Sequence, residues 1–567
     1  MIRRLTILVV VLMATCVAVC AQAPSPTPKN SEEGSTGTIS GKVVNENGQP
    51  LIGAAVFARS LNSSLPGRRT ATDLEGTFRL NDLDPGLYSI MANAAAYTTE
   101  PGPPVYYRLG DSVRVEMVRG GVITGVVTNA LGEPVIKVSV RATRLRDAKG
   151  ETSKGPQYDN VRTTDDRGIY RIYGLLPGTY LVSAGGGGEL QYAFNPYNSD
   201  IATYAPSSTR DTAVEIIVRP GEESTADIRY KGEPGYTISG NVKTAAGNGA
   251  QVSLKSVSSG LSVGSTFQLP GNRGFAFSGL ADGEYSLVGQ EYSMTQTSRT
   301  PQLGRSDVKR ITVKGANITG IELIPKPVSS ISGRITLERT KAPGCEGKRP
   351  PLFAETAVQT VRHEKDSETD DDVYARTGAH LFPVDENGAF VVRALPPARY
   401  QFEPRFYARY WYTQSITMNT TAPKPQKIDA AATWTALKSG EQLTNVIITL
   451  AEGAASIRGR LELAEGAVTP AGRVVYLIPA EPDKAEDVLR FSVTEVASDG
   501  AFTLNNLPPG KYLAVTQTNV DAQIATLTKL RQPEAAAART KLRRTAEAQK
   551  TDIELKPCQN LVDYQLK

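Results

Sequence analysis

Short runs in which apolar and polar residues alternate recur along this chain and predict strands rather than helices. Phe78 and Leu80 flank Arg79, Tyr88 and Ile90 flank Ser89, and Phe502 and Leu504 flank Thr503, which is the period of a strand with one face buried. Between such runs lie Leu83-Asp84-Pro85-Gly86 and Leu507-Pro508-Pro509-Gly510. Proline fixes φ there and glycine accepts conformations other residues avoid, so these loops reverse the chain into hairpins. Upstream, Asp73-Leu74-Glu75-Gly76, Asp165-Asp166-Arg167-Gly168 and Asp385-Glu386-Asn387-Gly388 supply a second turn, with a side-chain acceptor at the start and glycine at the end.

The hairpin phrase is stated five times at unchanged spacing: Phe78/Leu83/Gly86/Tyr88, Tyr170/Leu175/Gly178/Tyr180, Phe275/Leu280/Gly283/Tyr285, Phe390/Leu395/Ala398/Tyr400 and Phe502/Leu507/Gly510/Tyr512. Recurrence of this kind marks one structural unit used repeatedly. A tyrosine just after such a corner resembles the tyrosine corner of sandwich domains, whose hydroxyl bonds back to nearby backbone, so a structural role is expected for all five. The openings match as well, at Ile39-Ser40-Gly41, Ile123-Thr124-Gly125, Ile238-Ser239-Gly240, Ile331-Ser332-Gly333 and Ile457-Arg458-Gly459. Most units close on a further strand pair, such as Ile216-Ile217-Val218 and Ile228 around Gly221. Six or seven short strands per unit describe an antiparallel sandwich. The expected fold is all-β: a tandem array of five antiparallel Ig-like, transthyretin-like sandwiches over residues 36–118, 119–231, 232–326, 327–452 and 453–567, with one short helix near the C-terminus.

Length agrees, since 567 residues exceed what one core organises. Basic and acidic residues nearly balance, 63 against 58, which argues against nucleic acid or a strongly anionic surface as partner. Met1-Ile2-Arg3-Arg4 followed by an apolar run from Leu5 to Val19 and by Val19-Cys20-Ala21 reads as a signal peptide over residues 1–21. Residues 22–35 follow as a Pro-rich linker. The chain is therefore expected to be exported to a periplasmic, outer-surface or secreted location. No later segment is long and apolar enough to span a membrane. Cys345 and Cys558 are the cysteines outside the signal segment, and in an oxidising compartment an even pair favours a disulfide.

The pattern Ile39-Ser40-Gly41, Gly48-Gln49-Pro50, Asp73-Leu74-Glu75-Gly76-Thr77-Phe78 and Leu83-Asp84-Pro85-Gly86-Leu87-Tyr88 resembles the carboxypeptidase regulatory-like domain, a transthyretin-like sandwich, and is similar to Cna B-type and starch-binding-like domains. Unit three departs from it, with Arg273 where the turn glycine is expected. The resemblance implies an accessory domain of the kind found beside peptidases, in adhesins and before outer-membrane receptors, with carbohydrate binding among some relatives. It implies no catalytic residues.

An enzyme reading finds little to use. The two histidines, His363 and His380, lack the spacing of a zinc carboxypeptidase and a companion nucleophile. Asp366-Ser367-Glu368-Thr369-Asp370-Asp371-Asp372 lacks the glycine and spacing of a calcium loop, Gly185 to Gly188 lacks a following Lys-Ser/Thr, and no metal or cofactor is expected. Residues 533–550 read as a basic helix packed on the last sandwich. The strongest ligand candidates are aromatic. If residues 406–412 form one strand, Tyr407, Arg409 and Trp411 share a face opposite Phe406, Tyr410 and Tyr412, and one of the two faces must meet something other than core. Tyr192, Phe194, Tyr197 and Tyr204 form a looser set. The expected function is an exported, non-catalytic binding or cell-envelope scaffold, with a carbohydrate-binding protein and an accessory subunit of a peptidase or glycan-degrading enzyme as alternatives. The expected partner is a protein or glycan at the cell envelope.

Overall fold

In the computed structural model the described residues are 36–62, 65, 67–100, 105–152, 161–186, 196–260, 262–272, 274–293, 302–363, 381–419, 426–462, 469–470, 472–518, 520–521, 524–549 and 551–566. The signal segment and the Pro-rich linker lie outside them. The strands form ten sheets, which fall in chain order into five face-to-face pairs. From Thr36 onward the chain is a single compact unit.

Each sandwich is built around its opening strand: Gly37–Asn45, Gly121–Thr128, Tyr236–Val242, Ser329–Glu338 or Ala455–Leu461. The strand bearing the first aromatic of the phrase pairs with it antiparallel, and the register is the same five times. Gly41 lies opposite Phe78, Gly125 opposite Tyr170, Gly240 opposite Phe275, Gly333 opposite Phe390 and Gly459 opposite Phe502. On its other side the opening strand meets the closing strand in parallel, as Gly37–Asn45 does with Ser112–Arg119 and Ser329–Glu338 with Gln442–Glu452. An antiparallel sandwich therefore describes the pairings except where the opening strand meets its closing strand or, in the second unit, two closing strands. The two strands that close a unit also part company. Ile216–Val218 joins the sheet of Gly178–Ala184, while Glu223–Thr225 joins the sheet of the opening strand.

The opening glycine is required by this register. A Cβ on Gly333 would sit 2.2 Å from the Val446 carbonyl oxygen and 2.6 Å from Phe390 Cζ, so the aromatic ring lies over the glycine and the closing strand passes underneath. The corner tyrosines are as uniform. The hydroxyls of Tyr88, Tyr180, Tyr285, Tyr400 and Tyr512 donate to the carbonyls of Asp84, Leu176, Ala281, Pro396 and Pro508, four residues back, at 2.9, 2.8, 2.8, 2.8 and 2.7 Å. A buried phenol with its proton committed in this way satisfies its one polar atom while the ring fills the core. The Asp-x-x-Gly turns close as side-chain turns, Asp73 Oδ1 accepting from the amides of Glu75 and Thr77. The glycine that ends this turn, Gly76, is left-handed at φ 69°, whereas Gly86 in the following loop lies outside that region.

The sandwiches stack by one rule. Strand Tyr97–Thr98 of the first lies against Ile169–Leu175 of the second, and the 3-10 turn Pro196–Ser199 of the second against Gly274–Leu280 of the third. Gln302–Arg305 of the third lies against Ala389–Leu395 of the fourth, and Trp411–Asn419 of the fourth against Ala501–Leu507 of the fifth. In each case the aromatic strand, an edge of its own sheet, is covered by the preceding sandwich, which removes an open edge. On the last sandwich, helices α1 (Leu527–Arg531) and α2 (Ala536–Gln549) pack Leu530, Leu542 and Ala546 against Tyr476, Ile478 and Val515. The helix expected over residues 533–550 is α2, entered through the 3-10 turn Pro533–Ala535 and preceded by the short α1.

Candidate functional site

The segment around Trp411 is not one strand. Strand Ala398–Arg405 belongs to one sheet of the fourth sandwich and strand Trp411–Asn419 to the other, and residues 406–410 are the crossover, with a turn at Arg409 and Tyr410. Period-two alternation does not run through such a crossover, so Tyr407, Arg409 and Trp411 do not share a face. Trp411 enters the second sheet with its ring in the core beside Phe390, Tyr400 and Ile448 and is 0% exposed. This corrects the expectation of an exposed anchor. Arg409 is exposed. Tyr407 turns to the first sandwich, where its hydroxyl donates to the Tyr106 carbonyl at 2.9 Å and the Arg108 guanidinium lies 5.5 Å from its ring centre. Burial, with the charge of Asp111 adding, pushes the Tyr407 phenol above its ordinary pKa.

What the crossover builds is a junction with the fifth sandwich. The Tyr410 carbonyl accepts from the amides of Gly453 and Ala454 at 2.8 and 2.9 Å, and Asn506 Nδ2 donates to the carbonyls of Ala408 and Trp411, both at 2.7 Å. The ammonium of Lys348 lies 4.5 Å from the Tyr410 ring centre. Cys345 and Cys558 are joined by a disulfide across this junction, their Cα atoms 5.4 Å apart. Opposite, His363 is buried between Arg399, whose Nη2 reaches Nδ1 at 2.8 Å, and Glu534, whose Oε1 lies 2.9 Å from Nε2. A guanidinium only donates, so Nδ1 accepts and Nε2–H donates to Glu534. Trp434 Nε1 donates to the same carboxylate at 2.9 and 3.0 Å. Partial burial would raise the Glu534 pKa, but hydrogen bonds from backbone, Trp434 and His363 hold it below its ordinary value. Both nitrogens of His363 are thereby engaged, Nδ1 within the fourth sandwich and Nε2 across to the fifth.

Beside the junction is a cleft of about 300 Å³ lined by Gln414, Ser415, Thr417, Lys427, Asp429, Asp487 and Leu489. Asp429 Oδ1 accepts from the amides of Ala431 and Ala432, and Asp487 Oδ1 from that of Leu489. Burial, with Asp429 among the nearby charges, raises the Asp487 pKa. Two fixed carboxylates, an ammonium, two hydroxyls and an amide can hydrogen-bond a polyhydroxylated ligand. Sequence reasoning missed this cleft, because its walls come from two sandwiches.

His380, Asp366 to Asp372, Tyr192 and Phe194 lie outside the described residues. Tyr197 meets Tyr230 edge-on at 5.6 Å, within the second sandwich and apart from the junction. Among the described residues no cluster of three or more His, Cys, Asp or Glu is placed to hold a metal, and no helix is long and apolar enough to cross a membrane. The basic helix residue Arg539 turns inward, donating to the carbonyls of Leu530 and Gln532, both at 2.7 Å.

The first of these sandwiches, over residues 38–118, matches the family of the carboxypeptidase regulatory-like domain. No curated protein matches the chain. Solved structures with similar chain traces include the minor pilin GBS52 of Streptococcus agalactiae, 14% identical over 34% of this chain and 95% of that one, TM-score 0.19. The shaft pilin SpaA of Lactobacillus rhamnosus GG is 13% identical over 35% and 98%, TM-score 0.17, and the Bacillus anthracis TIE protein 11% identical over 85% and 70%, TM-score 0.14. Scores at this level carry no argument about what the present chain binds.

Proposed function

We propose that the chain is an exported, non-catalytic scaffold that holds binding surfaces in fixed relation at the cell envelope, with a protein or glycan as its ligand. The observation that carries this reading is the junction of the last two sandwiches, where a disulfide, the His363–Glu534–Trp434 contacts and main-chain hydrogen bonds fix one module on the next. A disulfide persists in an oxidising compartment, which supports export. His363, one of the two histidines, has both ring nitrogens bonded at the junction, which supports a holding role for it. The carbohydrate reading moves from Trp411 to the cleft of Asp429 and Asp487, whose donors and acceptors suit sugar hydroxyls. The test is a glycan array and affinity capture with the mature chain, run beside peptidase and glycosidase assays. Specific retention without turnover is expected; turnover of a peptide or glycoside by the purified chain overturns the reading.

A further inference from the structure

Most polar side chains of the cleft between the fourth and fifth sandwiches have no partner in the protein. The cleft draws on strands Trp411–Asn419 and Lys427–Asp429, which pair with Thr417 opposite Asp429. Pairing of the first of these with Gln442–Glu452 skips Gln414, because the register shifts between Thr413 and Ser415, and a bulge of this kind re-aims a side chain. Thr417 is 9% exposed, and its hydroxyl makes no hydrogen bond among the described residues. A buried hydroxyl left unpaired is costly, and the cleft is where a partner can reach it. The amide of Gln414, the hydroxyl of Ser415 and the ammonium of Lys427 are likewise unpaired among the described residues. The two carboxylates are served unequally. Asp487 has the Arg490 Nε 3.4 Å from Oδ2, and the charge of Arg531 acts on it as well. Asp429 spends Oδ1 on the amides of Ala431 and Ala432, and its Oδ2 meets no donor and no cation among the described residues.

Resting on the carbohydrate reading of this cleft, we propose that it takes a hexosamine whose amine is free and protonated. The ammonium donates to Asp429 Oδ2, and the neighbouring ring hydroxyls bond Thr417, Ser415 and Gln414. An ammonium on a carboxylate makes a charge-assisted hydrogen bond, roughly twice as strong as a bond between neutral groups, so the unpaired oxygen of Asp429 favours the amine over a hydroxyl. Lys427 stands two residues away on the same side of its strand and sets the direction of the ring: it repels the amine and donates to sugar oxygens. A uronic acid would bring a third carboxylate to Asp429 and Asp487, and like charges in contact are disfavoured. The volume, about 300 Å³, lies at the small end of ligand clefts and suits one sugar unit.

The experiment is isothermal titration calorimetry of the mature chain with three tetrasaccharides of one linkage, built from glucosamine, N-acetylglucosamine and glucose, at a pH where the amine is protonated. Asp429→Asn and Thr417→Val are run beside the parent after their melting has been checked. Asparagine keeps an oxygen for the Ala431 and Ala432 amides and removes the charge, and valine keeps the shape of Thr417 and removes the hydroxyl. The glucosamine tetramer is expected to bind the parent about tenfold more tightly than either neutral one. Asp429→Asn should erase that preference, and Thr417→Val should weaken every tetramer that binds. Neutral tetramers that bind as tightly as the amine, or a preference that survives Asp429→Asn, overturn the proposal and leave the carbohydrate reading standing. Absence of binding by all three tetramers overturns both together.

Discussion

Replacing Trp411 by alanine separates a core residue from a binding anchor. The ring is 0% exposed and packs among Ile331, Val358, Phe390 and Ile448. A buried aromatic removes 150–250 Å² from water, about 4–6 kcal/mol at 25 cal/mol/Å², and measured Trp→Ala losses run about 3–5 kcal/mol. Taking about 4 kcal/mol, a sandwich of this size should melt about 15 °C lower. Trp411→Phe is the informative companion. Trp411 Nε1 is buried and meets no acceptor among the described residues, and an orphaned buried donor costs about 1–3 kcal/mol. Phenylalanine keeps most of the apolar ring and removes that donor, so its stability should fall within about 1 kcal/mol of the parent. Scanning calorimetry of the mature chain reads both. If Trp411→Ala leaves every transition in place while retention on a glycan or protein ligand disappears, the ring is an exposed anchor and the description of the crossover is wrong.

Gly333→Ala should destabilise the fourth sandwich by about 3 kcal/mol, because the new Cβ would lie 2.2 Å from the Val446 carbonyl oxygen; urea unfolding that superimposes on the parent refutes the close approach. Cys345→Ser should lower the denaturation midpoint of the last two sandwiches, by up to about 5 kcal/mol on chain-entropy grounds for a 213-residue separation, and an unchanged midpoint under non-reducing conditions counts against a disulfide there. Hydrogen bonds from the Ile169 amide, and then those from Arg167, hold the Asp165 carboxyl below its ordinary value of 3.8. A lowered folded-state pKa stabilises above the unfolded value and is lost as pH falls through the folded one, so melting curves of parent and Asp165→Asn should converge on acidification below that value; a gap independent of pH refutes the assignment.

Most of the sandwich is legible in the sequence because its determinants are local. The corner tyrosine bonds four residues back, the aspartate turns close within four residues, and the opening glycine announces a neighbour too near for a Cβ. The positive φ just before the repeated leucine is only partly legible: it falls at Asp82, Gly174, Gly279, Ala394 and Asn506, where glycine, aspartate and asparagine tolerate that region and alanine does not. It arises where the pairing of opening and aromatic strands shifts register, as between Gly37 and Ile39, so the bulge is dictated by the sheet rather than by the residue. The Trp411 error has a similar origin. Period two was carried across residues 406–410 as if one sheet held them, and the crossover between sheets has no period of its own. Tyr407 and Tyr106, 301 residues apart, meet only because the first and fourth sandwiches touch, and no local pattern encodes that.

The stacking rule explains why the repeated phrase is kept more uniform than the rest of each unit. The aromatic strand serves two contacts: its ring covers the opening glycine of its own sandwich, and its edge receives the preceding one. A change in that strand disturbs a core and a junction together, whereas the second-sheet edge does not cover the opening glycine and varies from Arg68–Ala71 to Ser262–Gln268. The aromatic strand of the first sandwich, Thr77–Leu83, carries Arg79 and Asp82, charges of the kind that keep an edge from pairing. The corresponding strand of the third sandwich, Gly274–Leu280, is uncharged and lies beneath Pro196–Ser199 of the second. Charge in these strands does not track coverage, since the covered strands Ile169–Leu175 and Ala389–Leu395 carry Arg171 and Arg393, so at those edges it is the neighbouring sandwich that removes the open edge.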